Sequence, residues 1–212
     1  MKYYPICLDL HERPCVIVGG GQVAERKTLS LLDAGAVVTI VSPSLTPPLQ
    51  NLSASGKIKH LKKTFHENDL AGACLVIAAT NSPEVNAAIG KLCRKNQVLV
   101  NVVAPPEESS FIVPSVVERG ELLIAISTSG VSPALSRRIR QELERQFGPE
   151  YGLFLQKMAA VRNRLMSEVA DEETRREVLQ KLAESDVLDL LRQGKTSEAD
   201  QRIAEVSGLR LK

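Results

Sequence analysis

Three small residues, Gly19, Gly21 and Ala24, have the spacing Gly-x-Gly-x-x-Gly/Ala, which could hold a phosphate chain. They directly follow an apolar run, Cys15–Gly19, and open a helical pattern, Val23–Ala34. In that context Gly19 permits a tight turn, Gly21 lets a pyrophosphate approach the backbone, and Ala24 lets the helix pack on the sheet. The motif therefore predicts a dinucleotide site, with a glycine turn that binds no ligand as the alternative.

The second predicted strand, Val37–Val41, bears on which dinucleotide would bind. This strand usually ends in Asp or Glu, which bonds the adenosine ribose of NAD. Here Ser42, Pro43 and Ser44 follow it, with no acid for the ribose and no Lys or Arg for a 2′-phosphate. Ser42 or Ser44 could bond a ribose hydroxyl, or the residues could simply form a turn. This stretch alone does not separate NAD from NADP.

Two further strands should end at the same edge of the sheet. Leu75–Ala79 leads to Thr80, and Ser82 should start a helix directly afterwards. Because parallel strands place their carboxyl ends at one edge, we expect Thr80 near the cofactor, or else in a turn. The strand Val98–Val103 ends at Ala104, whose methyl group can neither donate, accept nor titrate.

The elements that must position these residues alternate along the first part of the chain. Helical patterns at Val23–Ala34 and Pro83–Lys95 lie among short runs rich in Val and Ile. This alternation predicts βαβ units and a parallel sheet. The predicted strands are Cys15–Gly19, Val37–Val41, Ile58–Leu61, Leu75–Ala79, Val98–Val103 and Leu122–Ser127.

Beyond Pro133 the strand pattern ends and helical patterns follow. Ser132 and Pro133 predict a helix start, and that helix should run to about Phe147. Further helical stretches should follow, and Ser197 begins a capping pattern for the last helix. The sequence thus predicts an α/β domain followed by a helical tail.

Composition narrows the class of protein. The 212 residues are 43% apolar. The formal net charge is only +2, and Lys and Arg are spread along the chain, which argues against a nucleic-acid partner. No apolar run approaches the roughly 18 residues that a membrane span needs, and the N-terminus lacks a signal-peptide pattern. We expect a reduced, cytoplasmic protein without a metal site, because metal-ligand spacing is absent from its cysteines and histidines: Cys7, Cys15, Cys74, Cys93, His11, His60 and His66.

Longer stretches around the glycine motif resemble a known family. Cys-Val-Ile-Val-Gly-Gly-Gly-Gln-Val-Ala-Glu-Arg-Lys at 15–27, Ser-Phe-Ile-Val-Pro-Ser at 110–115 and Ile-Ser-Thr-Ser-Gly-Val-Ser-Pro at 126–133 carry the likeness. With Pro-Ile-Cys-Leu-Asp-Leu at 5–10, they resemble the precorrin-2 dehydrogenase family. These are the N-terminal modules of siroheme synthases, some of which also act as sirohydrochlorin ferrochelatases. No methyltransferase module follows residue 212, so the sequence resembles the stand-alone form.

The resemblance implies an architecture and a reaction. It implies an NAD-binding Rossmann domain over 1–112, a dimerisation segment over 113–146 that makes a homodimer, and a helical C-terminal domain over 147–212. NAD would accept hydride from the tetrapyrrole precorrin-2, a proton would leave, and sirohydrochlorin would result. In bifunctional members Fe²⁺ then enters the macrocycle.

Site residues also follow from the resemblance. Gln22, Val23, Pro43 and Ser44 fall where such proteins contact NAD. The macrocycle carries acetate and propionate groups, which an N–H-rich loop before a helix, at Ser129 and Gly130, would favour. The substrate contacts expected here are therefore Asn101, Ser110, Phe111, Ser129, Gly130 and Arg137, with Arg138 and Arg140 nearby. Phe111 could instead fill the core, and the arginines could form a solvated helix face.

Ala104 departs from the family pattern Asn-Val-Val-Asp, whose aspartate is usually assigned to proton removal and metal insertion. The Ala could be engineered, solvent could take the proton, or Glu107 or Glu108 could serve instead. Hydride transfer depends mainly on orientation, so dehydrogenation is still expected, while metal insertion is left open. A non-catalytic NAD-sensing module is the alternative function.

Overall fold

The computed structural model describes residues 3–209 and divides into two compact units, with the boundary between Val113 and Pro114. The first unit contains a five-stranded parallel sheet in the order β3-β2-β1-β4-β5. Its strands are β1 Pro14–Val18, β2 Val37–Val41, β3 Lys59–Leu61, β4 Leu75–Ala78 and β5 Leu99–Val102. The chain winds outward from β1 to β3 and then returns to the other side of β1. The strand order therefore reverses between β1 and β4, where such sheets bind ligands.

Helices cover both faces of this sheet. They are α1 Gln22–Asp33, α2 Pro47–Ala54 and α3 Pro83–Lys95, with a 3₁₀ turn at Glu67–Leu70. Ala24, Leu31 and Leu49 bring α1 and α2 onto one apolar cluster, while Ile89 and Cys93 bring α3 onto the other. The inner strands β1, β2 and β4 are almost continuously apolar because both of their faces are mostly buried, whereas the edge strand β3 reads Lys-His-Leu.

The second unit begins with an antiparallel hairpin of β6 Ser115–Arg119 and β7 Leu122–Ile126. Five helices follow: α4 Pro133–Gln146, α5 Glu150–Glu168, α6 Glu172–Ala183, α7 Val187–Arg192 and α8 Thr196–Ser207. Val161, Leu165, Leu182 and Ile203 are almost fully buried in the apolar core that α5 to α8 share.

The predicted fold class, a parallel α/β sheet followed by helices, is confirmed. Two local predictions are wrong. Leu122–Ser127 does not join the parallel sheet, because Gly120 and Glu121 alone separate it from β6, and so short a link permits only a hairpin. Ser197 does not cap the last helix: the chain reverses at Gly194, in the left-handed region, and α8 already begins at Thr196. The three predicted domain ranges stay a prediction.

Candidate functional site

A cavity of about 630 Å³ lies at the carboxyl edge of the parallel sheet, where the strand order reverses. The loops after β1, β2, β3 and β4 all contribute to its wall. Its lining includes the predicted residues Gly19, Gly21, Ser42, Pro43, Ser44 and Thr80, together with Gly20, Thr46, Lys63, Phe65, Asn81 and Val85. The fold thus brings the predicted cofactor residues of three separate loops to one place.

The three glycines after β1 have different tasks. A side chain at Gly19, whose φ is +121°, would meet Ala79 O at 2.2 Å. One at Gly20 would meet Ser44 O at 2.0 Å, so these two glycines let the loop pass between its neighbours. Gly21 has open space around it. It is the residue of the three whose missing side chain leaves room for a ligand.

Helix α1 begins at this open glycine. Gly21 is its N-cap, and no side chain caps the first turn, so N–H groups there are available to phosphate oxygens. Gln22 and Val23 are the first two residues of the helix, and neither lines the cavity. Any contact of these two residues with the cofactor would therefore be made by their backbone N–H groups, and it stays a prediction. Thr46, which sequence reasoning missed, donates to Glu25 Oε2 at 2.6 Å and ties α1 to the loop after β2.

The serines after β2 are not equivalent. Ser42 is buried, and its hydroxyl donates to Ser44 O at 2.7 Å, so it holds the turn instead of facing a ribose. Pro43 and Ser44 are exposed on the cavity wall. Of the two predicted ribose donors, Ser44 is the one with a free hydroxyl in the described part of the chain.

Asn86, which sequence reasoning also missed, connects the ends of β4 and β5. It is 1% exposed, and its Oδ1 accepts from Thr80 N at 3.0 Å and lies 2.7 Å from Thr80 Oγ1. Its Nδ2 donates to Thr80 O and to Ala104 O, both at 3.1 Å. A polar residue on the buried face of α3, in step with Ile89, was the available sequence signal. Asn86 fixes the two strand ends that flank the predicted reaction site.

Asn86→Ala should lower the free energy of unfolding by about 2–3 kcal/mol, because the hydrogen bonds of this buried amide to Thr80 and Ala104 would be lost. Urea denaturation measures this loss. Asn81→Ala is the control, since Asn81 is exposed and its truncation should change the free energy by less than about 0.5 kcal/mol. Equal stability of the two variants would refute this role of Asn86.

The segment after β5 folds back along that strand. Ala104 is exposed after the strand end, and its carbonyl is held by Asn86. Glu108 forms an ion pair with Arg94, at 3.3 Å, and the same Arg94 donates to Glu107 O at 2.6 Å. The carboxylate of Glu108 is thus neutralised, which argues against it as a base. Glu107 is exposed, and its role as a substitute base stays a prediction.

The serines of the returning segment complete the edge of the sheet. Ser110 Oγ accepts from Val100 N and Ser109 Oγ accepts from Val102 N, both at 2.8 Å. Asn101 Nδ2 donates to Phe111 O at 3.1 Å, and Phe111 packs partly buried against the core. These contacts favour a framework role for Asn101, Ser110 and Phe111. Their predicted contact with a substrate stays a prediction.

The remaining predicted substrate residues lie in the second unit, before and within α4. Ser129 and Gly130 both have positive φ, and Ser132 Oγ accepts from Leu135 N as the cap of α4. Arg138 and Arg140 pair with Glu142 and Glu144 one turn further on. Arg137 is exposed and has no ion pair within residues 3–209. It is the arginine of the three whose charge is uncompensated.

Comparison with known proteins places the chain in a family. A family model described as putative NAD(P)-binding matches residues 6–115, more than half of the chain, and one described as sirohaem biosynthesis protein central matches 119–146. The chain belongs to the siroheme synthase family of NAD(P)-binding proteins. The predicted family and a nicotinamide dinucleotide as its cofactor are thereby confirmed.

Relatives in this family are similar over most of the chain. The siroheme synthase of Methylobacillus flagellatus is 46% identical over 72% of this chain and 32% of its own length. Siroheme synthase 3 of Aeromonas hydrophila is 39% identical over 95% of this chain and 43% of its own. The chain thus spans less than half the length of these relatives. A solved structure of SirC, precorrin-2 dehydrogenase, is 29% identical, with a TM-score of 0.80 over 96% of this chain and all of that one.

Metal-binding clusters and membrane-spanning helices are absent from the described part of the chain. Between residues 3 and 209 no group of three His, Cys, Asp or Glu could hold a metal ion, and no helix could cross a membrane. Burial raises the pKa of the Cys15 thiol to about 11, with Cys74 adding to the effect. Burial likewise raises the pKa of Cys93 to about 11, so both thiols stay protonated and inert near neutral pH.

Proposed function

We propose that this chain binds NAD and dehydrogenates precorrin-2 to sirohydrochlorin, a step of siroheme biosynthesis. The observation that carries the proposal is the cavity at the reversal of strand order, with open Gly21 beside the uncapped start of α1. That arrangement fits a pyrophosphate, because backbone N–H groups and the helix dipole both favour phosphate oxygens. The likeness to SirC, precorrin-2 dehydrogenase, supports the substrate.

In this proposal the protein supplies binding and orientation. When bound, NAD would supply the hydride acceptor, and Pro43 and Ser44 on the cavity wall would hold its adenosine half. Thr80, locked by Asn86, fixes the wall of the cavity after β4. The substrate loses one hydride and one proton, and the proton passes to water or to Glu107, because the methyl group of Ala104 cannot accept it.

The substrate's carboxylates need cationic or N–H partners. Arg137 offers an exposed guanidinium without an acid of its own, and Ser129 and Gly130 form the turn before α4. A guanidinium binds carboxylates through two parallel hydrogen bonds, which suits the acetate and propionate groups of a tetrapyrrole. We therefore retain these three residues as the proposed substrate contacts.

An anaerobic assay tests the reaction directly. Precorrin-2 and NAD mixed with the protein should give NADH and sirohydrochlorin in equal amounts, and Arg137→Ala should raise KM more than it lowers kcat. Arg145→Ala, an exposed arginine in the last turn of the same helix, is the control. Tight NAD binding without tetrapyrrole binding or NADH formation would instead support a non-catalytic NAD-sensing module, which the methyl group of Ala104 would suit.

We also propose a cytoplasmic homodimer. Exposed apolar side chains in the second unit, among them Leu123, Val131 and Leu135, support a surface that a second copy covers. Exposed Cys7, a free thiol, supports a reducing compartment. Sedimentation equilibrium should give twice the chain mass at micromolar concentration, and a monomer would refute the dimer.

A further inference from the structure

A second cavity, of about 500 Å³, adjoins the dinucleotide cavity in the first unit. The loop of Pro43, Ser44 and Leu45 lines both cavities. The other walls of the second cavity come from helix α2 and from the edge strand β3. Because the adenosine ribose lies at the end of β2 in this fold, the second cavity is where a substituent on that ribose would extend.

The second cavity has two side chains that can carry positive charge, His60 and Lys62. His60 lies in β3 and Lys62 follows directly after the end of that strand, and both side chains line the cavity. His60 Nε2 lies 2.9 Å from Ser42 O, which can only accept, so Nε2 carries the proton and fixes the ring beside the loop. Lys62 is exposed and has neither an ion pair nor a hydrogen bond within residues 3–209.

The neighbouring lysine is different. Lys63 lines the dinucleotide cavity, but it is paired with Asp69 at 2.5 Å. Burial alone would raise the pKa of Asp69, but its hydrogen bonds with Lys63 and His66 outweigh that effect and lower the pKa. The carboxylate therefore stays ionised and neutralises Lys63. Of these two neighbouring lysines, Lys62 is the one without an acidic partner in the described part of the chain.

The lining of the second cavity contains no Asp or Glu that would repel an anion. An acid at the end of β2 would bond the ribose hydroxyl of NAD and repel the 2′-phosphate of NADP, but this chain has Ser42, Pro43 and Ser44. Glu25 accepts from Thr46 and Asp69 pairs with Lys63, and neither lines either cavity. The usual barrier against a 2′-phosphate is thus missing.

We propose that His60 and Lys62 form, beside Ser44, a subsite for the 2′-phosphate of NADP, so that this chain accepts NADP as well as NAD. The subsite rests on the proposed dinucleotide site and adds a second specificity to it. Lys62 supplies a charge-assisted hydrogen bond to the phosphate, and His60 supplies a further bond through Nδ1 when its ring is protonated.

Isothermal titration with NAD and NADP tests the subsite without any catalytic readout. Wild-type protein should bind the two dinucleotides with dissociation constants within about tenfold of each other. Lys62→Glu should weaken NADP about tenfold or more and change NAD less than about threefold. The affinity for NADP should also fall more steeply with salt than that for NAD.

Lys59→Glu is the matched control, because Lys59 is exposed on the same strand but does not line the cavity. It should leave both dissociation constants unchanged. NAD binding without NADP binding, or an equal loss of both with Lys62→Glu, would overturn the subsite and leave the dinucleotide site intact. Failure of both dinucleotides to bind the wild-type protein would overturn the proposed function as well.

Discussion

Gly21→Asp should abolish NAD binding while the protein stays folded. Gly21 has φ of −86°, which any residue adopts, and nothing lies within 4 Å of the position of its missing side chain. An aspartate there would fill the space of the pyrophosphate and add a like charge beside it, which costs several kcal/mol. We expect the dissociation constant for NAD to rise on the order of 100-fold or more, measured by isothermal titration.

Two further variants separate the reasons for this loss. Gly21→Asn has the same shape without the charge, so it should bind NAD more tightly than the aspartate variant. Gly19→Ala should instead lower the melting temperature, because its φ is +121° and its new methyl group would meet Ala79 O. Unchanged NAD affinity in folded Gly21→Asp would show that the dinucleotide binds elsewhere.

Much of the first unit could be predicted from sequence because its strands are buried on both faces. Runs such as Val37–Val41 then stand out without any partner being known, and Val37–Val41 and Pro83–Lys95 agree with the structure at both ends. A run does not reveal its partner, however. The pattern of Leu122–Ser127 predicts one more parallel strand, but the two-residue link of Gly120 and Glu121 makes it the second strand of an antiparallel hairpin.

The site was predictable where a motif specifies backbone geometry, as at Gly19 and Gly21. It was not predictable where tertiary packing brings distant residues together. Asn86 reaches Ala104 across 18 positions, and His60 meets Ser42 across the same interval, so no local pattern announces either contact. From the sequence, Glu108 was a candidate base, but in the folded chain it forms an ion pair with Arg94.

The second large effect is expected at Ala104, where the resemblance described in the sequence analysis implies an aspartate. Ala104→Asp should give insertion of Fe²⁺ or Co²⁺ into sirohydrochlorin, or raise it severalfold. Ala104 follows the carboxyl end of β5, and Asn86 holds its carbonyl, so the position of a new carboxylate would be well defined. That carboxylate could accept pyrrole protons as a metal enters, and a positioned base of this kind typically contributes on the order of 10²–10⁴-fold.

The same substitution should change the NAD-dependent step less, because hydride transfer depends first on orientation. It should also cost little stability, since Ala104 is exposed and an aspartate there stays hydrated. Anaerobic assays of both reactions in the wild-type and Asp proteins measure these effects, and Ala104→Asn provides the same shape without a titrating group. The asparagine variant should resemble the wild type in metal insertion.

The metal-insertion and dehydrogenation assays together identify the residue that accepts the proton. If Ala104→Asp and Ala104→Asn insert metal equally well, a carboxylate at this strand end has no role in proton removal. If Glu107→Gln then removes dehydrogenation in the protein with Ala104, the proton leaves through the exposed glutamate of the loop. Glu108→Gln is the control for that experiment, because Glu108 is already neutralised by Arg94 and should not be needed for the reaction. Its substitution should affect stability more than turnover.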